Sequence, residues 1–293
     1  GTHGKTTTTS MVSEILLAAE TDPTLSIGGI LPSIHGNIRV GASDLFVTEA
    51  CEYTNSFLSF YPKISLVLNI EADHLDFFKD IQDIRHSFQK FVSLLPNDGT
   101  LIISGDIPDV EEITKGLSCR VITYGKTEGC DYYPEDITYD NLARPTYYLC
   151  HDGKKDKITL GVPGEHNVLN SMAAAVLADV LQIPFEHTAH ALTNFHGTDR
   201  RFQLKGEVDG VTIIDDYAHH PTEIAATLSA CENYPHKKLW CVFQPHTYTR
   251  TKAFLPEFAK ALSAADHVVL AEIYAARETD TLGISSQTLQ REI

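Results

Sequence analysis

The chain opens on Gly1-Thr2-His3-Gly4-Lys5-Thr6-Thr7, a grouping of glycines, a lysine and hydroxyls that suits a phosphate chain. Glycines let backbone N–H groups approach phosphate oxygens, Lys5 would neutralise the β/γ oxygens, and the Thr6 hydroxyl would face Mg²⁺. The full pattern has a further glycine upstream of this stretch, so taken alone the segment also reads as an ordinary glycine-rich turn opening a helix. Four polar clusters follow apolar runs further on. Glu49 and Glu52 come after residues 45–48; Asp73, His74 and Asp76 come after 64–70. Asp216, Tyr217, His219 and His220 come after 211–215, and His246, Tyr248 and Arg250 after 238–243. Each cluster alone passes as a solvated loop. Four in succession at the same end of strand-like runs read as the ligand-gathering edge of an open α/β sheet. A carboxylate and an imidazole beside a loop hydroxyl suit a divalent cation, with Thr6, Glu49 and His74 as candidates. Magnesium's preference for oxygen donors, and the usual fate of a lone histidine as a satisfied structural residue, weigh against His74.

Such side chains need a sheet and helices to position them. Short apolar runs alternating with helical patterns predict a mostly parallel α/β fold, with strands at 45–48, 64–70, 100–104, 120–124, 211–215, 238–243 and 267–273. Leu169, Met172, Ala173, Val176, Leu177 and Val180 share one face of a helix predicted over 167–181. Val12, Ile15, Leu16 and Ala19 share a face of another that follows Lys5. Between residues 130 and 162, short runs rich in Tyr and Thr predict a small antiparallel insert. Asp209-Gly210 between two apolar runs predicts a hairpin turn, and a second α/β pattern follows. The expected division is a phosphate-loop ATPase domain over residues 1–198 and an incomplete Rossmann-like α/β domain over 199–293.

Bulk properties narrow the function classes. The 293 residues suffice for two domains with sizeable cores. A formal net charge of −16 disfavours nucleic-acid partners, since an acidic surface repels phosphate backbones. No apolar run reaches membrane-spanning length, and the longest, over 172–181, is broken by Asp179. Six scattered cysteines with no CxxC pair fit reduced thiols, so a cytoplasmic enzyme without membrane insertion is expected.

Together these motifs resemble the Mur ligase family of bacterial amide-forming enzymes. The resemblance is carried by the opening loop, Glu49-Ala50-Cys51-Glu52, Asn69-Ile70-Glu71-Ala72-Asp73-His74 and Gly164-Glu165-His166-Asn167 with Asn170. It continues in Asp199-Arg200-Arg201-Phe202, in Asp215-Asp216-Tyr217-Ala218-His219-His220-Pro221-Thr222-Glu223, and in Phe243-Gln244-Pro245-His246-Thr247-Tyr248-Thr249-Arg250. It is strongest toward members that join L-alanine to UDP-N-acetylmuramate in peptidoglycan biosynthesis. The resemblance implies that Gly1, Thr2, His3, Gly4, Lys5, Thr6 and Thr7 wrap the triphosphate of ATP, and that Thr6, Glu49 and His74 hold Mg²⁺. It implies further that Asn167 and Asn170 face the adenine, that Arg201 reaches the γ-phosphate, and that Asp216 meets the nucleotide. His219, His246 and Arg250 would position the amino acid. Helix capping is the alternative role for Asn167 and Asn170, and a surface salt bridge for Arg200 and Arg201. The sequence departs from some members at Thr247, where those carry a second arginine, and no carbamylated lysine is assigned.

The implied reaction moves the γ-phosphoryl of ATP to the muramyl carboxylate, and the alanine amine then attacks the acyl phosphate. Lys5, Glu49, His74, Arg201 and His219 would carry it, with charge neutralisation and positioning doing most of the catalysis and His219 a candidate base. Rival readings are another amino-acid or folylpolyglutamate-type ligase, a P-loop kinase or ATPase, and an inert nucleotide-binding fragment. Because the sequence starts inside the loop and stops within a helical pattern, it is expected to be a fragment lacking the first strand of its sheet, a UDP-binding domain and the C-terminal end.

Overall fold

The computed structural model describes residues 1–293 apart from 277, 280 and 281. Its first helix, α1 (Lys5–Ala18), starts straight from the loop. Met11, and Ile15 and Leu16 about one helical turn further on, are almost fully buried. Each contributes roughly 1.5–3 kcal/mol by leaving water. They pack on α4 (His166–Val180), whose Ala173, Ala174, Ala175 and Ala178 let the two helix backbones approach closely. α5 (Phe185–Asn194) completes this layer.

Two parallel sheet segments flank α1. β1 (Thr24–Leu31) pairs parallel with β3 (Phe46–Thr48) and antiparallel with β2 (Gly36–Arg39). β4 (Ile64–Val67), β5 (Thr100–Ser104) and β6 (Arg120–Tyr124) form an in-register parallel sheet. All five residues of β5 are buried, as a central parallel strand requires. α2 (Ile81–Val92) and α3 (Val110–Thr114) cover one face around Phe57, Phe88 and Phe91. Among the described residues β3 and β4 do not pair; a cavity of about 600 Å³ lies between them, bordered by Val12, Leu16, Val47 and Leu66. The predicted insert is an antiparallel sheet of β7 (Tyr133–Tyr139), β8 (Pro145–His151) and β9 (Lys154–Thr159).

A separate core forms further along the chain. β10 (Gln203–Val208) and β11 (Val211–Asp215) make the predicted hairpin, with Asp209 at φ 51° and Gly210 at φ 76°. Positive φ at both central residues gives the turn the twist that such strands need. β12 (Trp240–Phe243) and β13 (His267–Leu270) pair in parallel. α6 (Pro221–Glu232), α7 (Tyr248–Ala253), α8 (Leu255–Leu262) and α9 (Ser286–Glu292) accompany them. Ile224, Leu228, Phe243, Phe258, Leu262 and Leu289 make the core of this C-terminal lobe.

The structure corrects several expected bounds. The strand predicted over 64–70 ends at Val67, because the chain then turns toward the loop and the Asn69 side chain bonds the His3 backbone at both N–H and C=O. The strand predicted from Lys238 starts at Trp240, Lys238 being paired with Asp266 instead. The one predicted to residue 273 ends at Leu270. β1 and β2 were not expected. Gly28-Gly29 interrupts the apolar pattern of β1, and both glycines serve the site: a Cβ on Gly28 would lie 2.7 Å from a Glu49 carboxylate oxygen, and one on Gly29 3.0 Å from the Thr6 methyl.

Candidate functional site

The loop and the first turn of α1 have the geometry of an anion site. Gly4 precedes the helix at φ 81°, gives it no side-chain cap, and no acidic residue occupies the first turn. The first helical N–H groups and the positive end of the helix dipole are therefore available to an anion. Only glycine fits at position 4, since a Cβ there would collide with the Asn170 amide oxygen. Lys5 folds back over the loop, donating to the carbonyls of Gly1 (2.7 Å) and Thr2 (3.1 Å) and pairing with buried Glu52 at 3.2 Å. The Thr6 hydroxyl donates to Glu49 at 3.2 Å, and the Gly28 N–H donates to the other oxygen of that carboxylate. A hydroxyl and a carboxylate meeting at a helix head are the oxygen donors a hard cation takes, so the residues present fit Mg²⁺.

His74 lies elsewhere in the network. Its ring centroid is 4.6 Å from that of Tyr53, and its Nε2 is 3.7 Å from Asp73. Burial holds its pKa below the ordinary histidine value against the pull of Asp73. Thr6 and Glu49 are thus directly joined, whereas His74 is joined to Asp73 and Tyr53.

Beside the loop is a cavity of about 400 Å³, within the range of small-molecule sites, whose lining includes His3, Gly4, Thr7 and the C-terminal lobe's Arg201, Asp216 and Glu223. Asn167 and Asn170 line it too, but not as helix caps. The N-cap position of α4 is Glu165, which makes no side-chain cap. Asn167 donates to the Pro163 carbonyl at 2.7 Å, Asn170 donates to Asn167 at 3.0 Å, and Thr8 donates to Asn170 at 3.3 Å. This chain of amides holds both asparagines rigidly at the cavity wall. Burial keeps neighbouring His166 neutral, with its pKa down at about 4. Arg201 lies 5.7 Å from the Tyr217 ring centroid, while Arg200 stacks at 4.7 Å on the same ring and sits 3.8 Å from Asp215. The salt bridge weighed for this arginine pair therefore belongs to Arg200. Asp216 accepts from the Phe202 and Ala218 N–H groups at 2.7 Å each, and burial raises its pKa.

His219, His246 and Arg250 meet at the other end. The His219 and His246 ring centroids are 5.8 Å apart, and Arg250 Nη1 is 3.0 Å from His246 Nδ1. The rest of the guanidinium is engaged: Nε and Nη2 donate to the same Asp73 oxygen at 3.1 and 2.9 Å, with both side chains under 10% exposed. Burial opposes the Asp73 charge, but Arg250 prevails and lowers its pKa. Thr247 is the N-cap of α7; its hydroxyl accepts from the Arg250 N–H.

His3 binds across the lobes through its side chain. Its Nδ1 is 3.1 Å from Glu223 and its Nε2 is 3.4 Å from Glu71, the latter at ion-pair rather than hydrogen-bond geometry. Burial disfavours the charge, yet the hydrogen bond to Glu223 and the adjacent Glu71 carboxylate together raise the His3 pKa to about 9. Glu52, Glu71, Asp73, His166, Thr222 and Glu223 were given no role from the sequence. All six lie inside the quoted motifs, but the partners that Glu52, Glu71, Asp73, Thr222 and Glu223 find across the site are distant in the chain.

The comparisons with known proteins agree along the whole length. The Mur ligase middle domain matches residues 1–178, and the Mur ligase glutamate ligase domain matches residues 200–293. The chain is 62% identical to the UDP-N-acetylmuramate–L-alanine ligase of Lachnospira eligens, with all of this chain and 64% of that protein covered. It is 60% identical to the enzyme of the same name from Agathobacter rectalis, over 99% of this chain and 63% of that protein. The crystal structure of UDP-N-acetylmuramate–alanine ligase from Thermotoga maritima superposes with a TM-score of 0.78 at 32% identity, over 94% of this chain and 60% of that one. The chain thus spans somewhat less than two thirds of the length of the relatives it matches. Among the described residues, no helix is long and apolar enough to cross a membrane, and all six cysteines are free.

Proposed function

The chain belongs to the Mur ligase family, and from that premise we propose that it carries the ATP-binding and amino-acid-binding parts of a ligase joining L-alanine to UDP-N-acetylmuramate through an acyl phosphate. One observation carries the reading beyond family membership. A single cavity is walled by the phosphate-type loop on one side and by Arg201 and Asp216 of the C-terminal lobe on the other. A nucleotide seated there touches both lobes, as phosphoryl transfer to a carboxylate held between them requires.

In this reading the loop N–H groups and Lys5 hold the triphosphate, Lys5 exchanging its carbonyl and Glu52 partners for phosphate oxygens. Asn167 and Asn170 face the base, Arg201 turns to the γ-phosphate, and Asp216 meets the nucleotide. Thr6 and Glu49, with His74 as the third candidate, hold Mg²⁺, which supplies charge neutralisation when bound. Aligning the γ-phosphorus with the carboxylate is the main catalytic work. Arg250 and His246 then receive the alanine carboxylate, and His219 takes a proton from the attacking amine. The test is phosphate release by the complete gene product, with ATP, UDP-N-acetylmuramate and each amino acid in turn. Release dependent on L-alanine and on the sugar nucleotide is expected; turnover indifferent to both would identify a simple ATPase.

A further inference from the structure

The His3 cluster does something that phosphate binding alone does not explain. His3 is 12% exposed by side chain, Asn69 clamps its backbone from both sides, and the imidazole points in one direction, set by its two carboxylate partners. That direction leads out of the loop and into the first turn of α6. There Glu223 occupies the third helical position and completes a capping box with His220. One of its oxygens meets His3 Nδ1 at 3.1 Å. The other accepts the N–H groups of His219 at 3.0 Å and His220 at 3.2 Å. The carboxylate that holds the loop histidine therefore also fixes the backbone of His219. On the opposite side of the imidazole, Glu71 receives the Thr222 hydroxyl at 2.9 Å. A closed ring results: loop, Glu223, first turn of α6, Thr222, Glu71 and back to the loop.

We propose that His3 is a positioning residue, whose imidazolium between Glu71 and Glu223 locks the first turn of α6, and with it His219, to the phosphate-binding loop. This rests on the reading of the cavity as a nucleotide and amino-acid site. It assigns the His3 side chain to coupling the two ends rather than to gripping phosphate.

The ring needs a cation at its centre. Two carboxylates face His3, Glu71 from the loop after β4 and Glu223 from α6, and without a positive charge between them they would repel. The third ring in the cluster cannot supply one. His220, with its centroid 4.7 Å from that of His3, accepts the Thr222 N–H at Nδ1 and donates from Nε2 to the Ala72 carbonyl, so it is neutral and fully used. The same arrangement argues against a metal ion. His3, Glu71 and His220 place ligand atoms within 4.8 Å of one another, but His220 has no lone pair left to give.

The charge sets the pH window. Because the His3 pKa rises from 6.5 to about 9, the lock contributes fully below pH 6.5 and is lost as pH rises through about 9.

The experiment compares wild type with His3→Gln and, separately, Glu71→Gln in the complete gene product. ATP affinity should change by no more than about threefold, since the loop's proposed phosphate donors are backbone N–H groups and Lys5 rather than the His3 ring, while kcat/KM for alanine should fall about tenfold or more at pH 7.5. The ratio of wild-type to variant kcat/KM should shrink toward one above pH 10; the ratio cancels the ionisation of alanine itself. Small-angle scattering of the wild-type ATP complex should report an expansion between pH 8 and 10 that His3→Gln shows already at pH 7.5. The wild-type half of this arm needs neither ligase activity nor a folded variant, so it holds even if the ligase reading fails. A pH-independent ratio, an ATP affinity lost in step with the alanine effect, or stoichiometric Zn²⁺ binding abolished by His3→Gln would each overturn the proposal.

Discussion

Among the described residues, two ion contacts join the lobes, one beside the cavity at His3 and one at Arg250, and they differ in kind. At the phosphate end, His3 is held between Glu71 and Glu223 by an imidazolium that titrates. At the amino-acid end, Arg250 is held by Asp73 through a guanidinium that keeps its charge at any working pH. The first contact uses a side chain that the proposed substrates need not touch, so it can persist through turnover. The second uses the residue proposed to receive the alanine carboxylate, so substrate must compete with Asp73 for it. Asp73 occupies the guanidinium edge on which the proposed alanine carboxylate would bind. A lock and an exchangeable latch are thus built from the same elements, a cation from one lobe and carboxylate from the other.

The sharpest way to test this contrast is to separate effects on the chemical step from effects on amino-acid capture. Glu49→Ala removes the carboxylate that Thr6 and Gly28 hold in place at the helix head. It should lower kcat about a hundredfold or more with the protein still folded, on the scale of losing one preorganised electrostatic group. Near wild-type turnover in the folded variant would remove Glu49 from the cation site. Arg250→Lys acts at the other end. Lysine keeps the charge but loses the planar fork that now reaches both Asp73 and His246. Alanine KM should rise about tenfold to a hundredfold, with ATP Kd nearly unchanged. If ATP Kd rose equally, Arg250 would belong to the nucleotide half and the contrast would fail.

How much of this was legible beforehand follows from what sequence encodes locally. β5, β6 and β11 were read to the residue, because each is a short run rich in apolar residues with clear ends: β5 is a fully buried parallel strand, β6 a partly buried one, and β11 an exposed hairpin strand bounded by the Asp209-Gly210 turn. β1 was missed because its Gly28-Gly29 pair looks like a turn, although the glycines are there to admit Glu49 and Thr6. The loop was legible as a phosphate-type motif because its residue types lie within a few neighbouring positions, whereas Asn167 and Asn170 were named from the family resemblance; both asparagines line the cavity beside the loop. The inter-lobe contacts were not legible. His3 and Glu223 are 220 positions apart, Arg250 and Asp73 177, and nothing local to either segment announces its partner. A residue named from the sequence can also carry an unforeseen contact: His3 was read as a phosphate-loop residue, but its side chain meets Glu223 of the other lobe.

The smallest expected effect concerns Thr247, where some family members carry an arginine. Here Thr247 adopts φ 67°, accepts the Arg250 N–H on its hydroxyl, and receives the Thr251 hydroxyl on its carbonyl at 2.6 Å. It therefore starts α7, a helix of six residues that carries Arg250 on its first turn. Removing an N-cap hydroxyl costs about 0.5–2 kcal/mol, and the 3.4 Å bond length places this cap at the weak end of that range. Thr247→Ala should accordingly loosen Arg250 by about 0.5 kcal/mol, which is roughly a twofold rise in alanine KM. ATP affinity and the His3-dependent pH profile should not move, because neither depends on α7. Thr247→Ser keeps the hydroxyl and should restore alanine KM. Thr247→Arg removes the cap but adds a second guanidinium, and the sign of its effect decides between two views of the latch. A lower alanine KM means that charge limits capture; a higher one means that the geometry of α7 does, as the buried Arg250–Asp73 contact implies.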